Sequence, residues 1–105
     1  MWRGVSYKLF IDDERTPVAN GWMVARSSDE AIAFVVMHGM PNEISFDHDL
    51  GGSDTSRVFI SWMVDALLNE LIAFPEGFAF HVHSQNPVGA DWIKTTMQGL
   101  IREFA

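Results

Sequence analysis

The sequence predicts a small α/β domain: a short parallel sheet of about four strands in the order 2-1-3-4, in three layers with helices on both faces. Three observations lead there. Short apolar runs that read as buried strands alternate with segments of helical period, which calls for right-handed crossovers and parallel pairing. Three of the predicted strands run directly into clusters of acids, imidazoles or hydroxyls. The 105 residues suit one domain, 1–105, with one core and no linker, repeat or low-complexity tract.

Each element has its own justification. Ser6 to Ile11 is apolar and partly aromatic and ends at paired acids, so it reads as a buried first strand. Asp12 to Pro17 is then a loop, because Pro17 disfavours helix at Thr16 and the acidic run resists burial. Trp22 to Arg26 follows the turn signal Asn20-Gly21 as a second strand. Ser27 with Glu30 three residues on forms a capping box, and Ala31, Phe34, Val35 and His38 keep helical spacing up to Gly39, which predicts a helix over 28–38. Glu43 to Phe46 is a third strand leading into Asp47-His48-Asp49-Leu50-Gly51-Gly52. Ser53 or Asp54 can cap a long helix with a wide apolar face (Val58, Phe59, Trp62, Met63, Ala66, Leu67, Leu68, Leu71, Ile72), ended by Pro75-Glu76-Gly77. Phe78 to His83 is the fourth strand, with Phe78, Phe80 and Val82 on one face and Ala79, His81 and His83 on the other. Asn86 as N-cap and Pro87 at the first helical position open a last helix whose buried stripe is Ile93, Met97, Leu100, Ile101 and Phe104.

Composition limits the partners. Hydrophobic residues make up 48% and charged residues 20%, a globular profile. With no cysteine, any metal must be held by carboxylates or imidazoles. Fourteen acids against seven Lys plus Arg give a net charge of −7, which argues against bulk DNA binding through the phosphate backbone. No apolar run approaches the ~20 residues of a membrane span, and Met1-Trp2-Arg3-Gly4 does not open a signal peptide, so cytoplasmic residence is expected.

In open parallel sheets ligands sit outside the carboxyl ends of the strands, where these polar clusters fall. Asp12, Asp13 and Asp47 can surround a hard cation such as magnesium, although an acidic pair often does no more than solubilise a loop. His48, flanked by Asp47 and Asp49, and His83 can serve as general base and acid for in-line attack on a phosphodiester. Taken singly, each is more commonly a structural or solvated histidine. The N-terminus of the last helix offers amides to an anion, with Gly89 allowing close approach, Ser84 adding a hydroxyl and Arg15 or Arg57 neutralising charge. Most helix ends bind only water. His38 has no assigned role, and His81 is expected to be core-facing or hydrogen-bonded. Ser84 lacks the glycine-flanked nucleophile elbow, and no Walker or dinucleotide glycine motif is present.

Four segments carry a resemblance: Leu9 to Pro17; Trp22 with the helix start Ser27 to Ala31; Ser45 to Gly51 with Asp54-Thr55; and His83 to Ala90. In this order, from about Lys8 to Met97, the chain resembles the cyclic-phosphate processing receiver-like domains of bacteria and their phages. The resemblance implies a receiver-like (flavodoxin-like) core and phosphoesterase action on cyclic phosphates, on cyclic nucleotides or at RNA ends. By position it marks Asp12, Asp13, Asp47, His48, Asp49, His83, Ser84 and Asn86 as the functional candidates. The chain departs from the family at Asp91-Trp92-Ile93, where relatives tend to have a small or polar residue, asparagine and methionine, so Trp92 is expected to reshape the pocket mouth. Similarity to response-regulator receivers gives a minor alternative, phosphorelay with Asp47 or a neighbour as acceptor, against which no fifth strand or its lysine is read. A further alternative is a non-catalytic, phage-type binding protein that engages a host protein or sequesters a nucleotide, using exposed aromatics such as Trp2 and Trp22.

Overall fold

The computed structural model describes residues 6–105; the readings of the first four residues, including Trp2, lie outside them. Four strands, β1 (Lys8–Ile11), β2 (Trp22–Ala25), β3 (Glu43–Phe46) and β4 (Ala79–Val82), alternate with three helices, α1 (Ser28–His38), α2 (Ser56–Leu68) and α3 (Pro87–Phe104). All strand pairs are parallel, in the order β2-β1-β3-β4. Ile11 pairs with Ala25 on one side and Phe46 on the other, and Phe46 with Val82, so the strands end level along one edge.

This is the predicted receiver-like class and strand order, with a difference in layering. The crossovers from β2 to β3 and from β3 to β4 run the same way across the sheet, so right-handedness puts α1 and α2 on one face. Helix α1 packs on α2 and α2 on α3, which places all three helices in one layer. The β1–β2 crossover runs the opposite way and belongs to the other face, but residues 12–21 contain no helix. Among the described residues, therefore, no helix covers that second face. On the helix side Leu9, Ile11, Ile44 and Phe46 are fully buried and meet Val35, Phe59, Ile60, Met63, Ile93 and Met97 in a single core cluster. The opposite face carries Lys8 over the Trp22 ring, Trp22 edge-on to Phe10, and His81 paired with Glu43. Trp22 is thus half-covered rather than freely displayed, and His81 is exposed rather than core-facing.

Local chemistry fixes the boundaries. Ser27 accepts from the Glu30 amide as predicted, while the Glu30 carboxylate reaches the Arg26 amide rather than that of Ser27. The cap of α2 is Thr55, not Ser53 or Asp54. Asp54 instead accepts from the Ser28 amide and hydroxyl and so ties the start of α1 to the start of α2. Helix α2 also stops earlier than its apolar pattern predicts: Glu70 turns left-handed at φ 57°, and Val58, Leu68 and Leu71 are exposed. β1 begins two residues later than predicted, at Lys8, and ends at Ile11 as predicted, while β4 is one residue shorter at each end, leaving Phe78 and His83 outside it. Asn86 caps α3, and Ile93 and Met97 anchor its buried stripe.

Candidate functional site

The site is built on the level edge where β1, β3 and β4 end. Asp12 follows β1 directly, its amide bonded to the Ala25 carbonyl, and its side chain is 1% exposed. One carboxylate oxygen accepts from the amides of Glu14 and Arg15, and the other from Arg15 Nε at 3.0 Å. That second oxygen also lies 3.0 Å from Nε2 of His83, whose Nδ1 is 2.7 Å from the Ser45 hydroxyl. Burial opposes ionisation of Asp12, but the Arg15 and Glu14 amides, the His83 ring and the Arg15 charge outweigh it and hold its pKa below the ordinary carboxylate value. The His83 ring lies flat on Phe10, with centroids 4.5 Å apart.

Asp47 stands one strand over, its amide bonded to the Ile11 carbonyl and its carbonyl accepting from Ser56. Its carboxylate is 3.4 Å from Arg15 Nη2, so Arg15 bridges Asp12 and Asp47 while remaining 45% exposed. Asp12, Asp47 and His83 each offer a ligand atom, all within 4.8 Å of one another, a donor set that can hold a divalent cation. Asp13 does not belong to this set; it lies at the loop beside Gly51, where a Cβ would come 3.1 Å from its carboxylate oxygen. Arg15 and a cation would share the same oxygens of Asp12 and Asp47.

Above this cluster opens a polar cavity of about 600 Å³. Asp12, Asp13, Glu14, Arg15 and Asp47 form one part of its wall, and Asp49, Gly51, Ser84, Gln85 and Asn86 the rest. Five carboxylates thus face one guanidinium. Glu14 and Gln85 were not singled out from the sequence, Glu14 being hidden within an acidic run and Gln85 carrying no motif.

His48 sits elsewhere. Its ring is only 8% exposed and, like that of His83, does not line the cavity, but unlike His83 it makes no contact with the Asp12 carboxylate. Nδ1 is 3.0 Å from Asp49, Nε2 accepts from Arg57 Nε at 2.9 Å, and the ring fills the space above Gly89. Gly89 therefore makes room for an imidazole, not for an oxyanion. Trp92 lies under the Arg57 guanidinium, 4.5 Å from it, and does not line the cavity mouth either. The start of α3 has few amides for an anion: Pro87 has none, and those of Gly89 and Ala90 are taken by the Asn86 side chain and carbonyl. Asn86 also donates to Asp49, whose pKa is lowered by its hydrogen bonds to His48 and Asn86.

A parallel sheet in the order β2-β1-β3-β4 with an acidic cluster at the carboxyl end of its inner strands defines a receiver-like domain. The chain belongs to the family described as cyclic-phosphate processing receiver domain, whose model matches residues 7–99. No curated protein and no solved structure matches it. Among the described residues no helix is long and apolar enough to cross a membrane.

Proposed function

We propose that this chain opens 2′,3′-cyclic phosphates, on a small nucleotide or an RNA end, adding water across one P–O bond to leave a phosphomonoester. The observation that carries this reading is the meeting, at one cavity of a domain from this family, of a guanidinium and the two carboxylates that aim it, Asp12 and Asp47, which with His83 behind them make a cation-capable donor set. Five carboxylates around the cavity repel a phosphate unless positive charge is added, and Arg15 supplies only one unit. A divalent cation held by Asp12, Asp47 and His83 makes up the difference. The imidazole in the set favours manganese or zinc over magnesium, which prefers oxygen ligands throughout. When bound, such a cation polarises the phosphoryl oxygen and lowers the pKa of water.

The chain's own groups divide the remaining work. Arg15, released from the carboxylates it shares with the cation, pairs with a non-bridging phosphate oxygen. Ser84 accepts from the Asn86 amide and keeps its O–H to donate to a ligand oxygen. Asp49 has both oxygens engaged, which leaves Asp13 the better carrier of the proton from attacking water to the departing ribose oxygen. An acid/base pair of His48 and His83 fits less well, because Nε2 of His48 already accepts from Arg57.

The test is ³¹P NMR of 2′,3′-cyclic AMP and of RNA ending in a cyclic phosphate, incubated with the protein and Mn²⁺, Mg²⁺ or EDTA. A phosphomonoester should form with metal and vanish in Asp12→Asn and His83→Ala. No product from either substrate under any condition overturns the reading.

A second reading, non-catalytic engagement of a host protein, draws on a different feature. An apolar groove of about 630 Å³ is lined by Val36, Met37, Met40, Trp62, Leu71 and Ile72 among others, away from the acidic cavity. A protein partner whose binding survives Asp12→Asn and His83→Ala but not Met37→Asp would favour it.

A further inference from the structure

Three side chains and a glycine form a closed circuit behind the wall of the cavity. His48 Nδ1 contacts one oxygen of Asp49; the other oxygen of Asp49 accepts from Asn86 Nδ2; Asn86 Oδ1 accepts from the Gly89 amide; and Gly89 carries the His48 ring on its bare Cα. Arg57 enters from the first turn of α2 and donates Nε–H to the remaining ring nitrogen. Three elements, the end of β3 and the first turns of α2 and α3, therefore meet on one imidazole.

A guanidinium has only donors, so the nitrogen it faces must be an unprotonated acceptor. The N–H of the ring then lies on Nδ1, aimed at Asp49. Arg57 is in turn held in place by the Trp92 ring face at 4.5 Å.

We infer that Arg57, with Trp92 behind it, is a positioning residue: it fixes His48 as the Nδ1–H tautomer, and His48 thereby sets Asp49, Asn86 and the 84–86 wall against which the cyclic phosphate rests. Only the last clause rests on the proposed function. Trp92 is in this account the support of Arg57 rather than a shaper of the pocket mouth.

The experiment is long-range ¹H–¹⁵N NMR of the full chain, which reports the histidine tautomer directly, combined with kinetics on 2′,3′-cyclic AMP. Wild type should show Nδ1–H at His48. Arg57→Ala should mix the tautomers and shift the Asn86 side-chain and Gly89 amide resonances, and Arg57→Lys, which keeps a donor, should restore much of both. KM should rise about tenfold or more in Arg57→Ala, with kcat changed less. An Nε2–H tautomer in wild type, or Asn86 and Gly89 resonances unmoved by Arg57→Ala, overturns the inference whether or not the protein turns over this substrate. If the resonances move while a measurable KM does not, the link to the phosphate is overturned and the tautomer lock stands.

Discussion

The His48 ring occupies the space that a side chain at position 89 would need: a Cβ on Gly89 would lie 2.7 Å from Cδ2 and 2.8 Å from Cβ of the histidine. This contact binds the end of β3 to the start of α3, and it holds one of the two strand-end histidines away from the acidic cluster. His48 is locked into the packing. His83, 21% exposed and 3.0 Å from the Asp12 carboxylate, is the imidazole of the acidic cluster.

Gly89→Ala is expected to destabilise the fold. Alanine is the better helix former by about 1 kcal/mol, but crowding the imidazole costs about 1–3 kcal/mol and prevails. Gly99→Ala, in the same helix with no heavy atom within 4 Å of the added Cβ, should stabilise by about 0.5–1 kcal/mol. Urea or thermal denaturation of the two variants reads opposite signs.

Arg15→Ala should separate two affinities. The guanidinium competes for the oxygens of Asp12 and Asp47, so its loss should strengthen Mn²⁺ binding several-fold. The same loss should weaken binding of a cyclic phosphate, since Arg15 is the only cation among the described residues of the cavity wall. Isothermal titration with Mn²⁺ alone, then with 2′,3′-cyclic AMP at saturating Mn²⁺, measures both, and weaker Mn²⁺ binding in the variant would contradict the shared-oxygen geometry.

Asp54→Ala should cost about 1–2 kcal/mol although Asp54 caps neither helix formally. Its carboxylate accepts from both the amide and the hydroxyl of Ser28, which is buried at the start of α1. Denaturant midpoints settle the sign, and a neutral result would contradict that link.

Acid should destabilise the fold through Asp12. Its folded pKa lies below the ordinary value of about 3.9, so the stability it contributes is full above that pH and is lost as pH falls through the lower, folded pKa. Asp12→Asn should therefore flatten the stability profile below about pH 4 while lowering stability near neutrality. Urea midpoints between pH 2 and pH 7 test both parts.

The element order and sheet order were legible because strand runs and helical periods differ plainly in sequences such as 6–11 and 28–38. That no helix covers the second face among the described residues was legible too, in principle: a crossover running counter to the others, with Pro17 and an acidic run inside it, cannot carry a helix on the opposite face. That Asp12, Asp47 and His83 gather at one sheet edge was legible because all three follow strands that end level; that His83 rather than Asp13 completes the donor set was not. The separation of His48 from His83 was not. It depends on α3 docking its glycine against the His48 ring and on Arg57 reaching across from α2, and neither contact leaves a periodic trace in the chain. Asp54 misled for a related reason, since an acid just before a helix reads as its cap whether it bonds that helix or a neighbour.

The most direct measurement follows 2′,3′-cyclic AMP and the protein in one NMR tube as Mn²⁺ is added. The account predicts a phosphomonoester product, with paramagnetic broadening centred on Asp12, Asp47 and His83. Broadening centred on another group, such as Glu43 and His81 on the open sheet face, together with an unchanged cyclic phosphate, would contradict it.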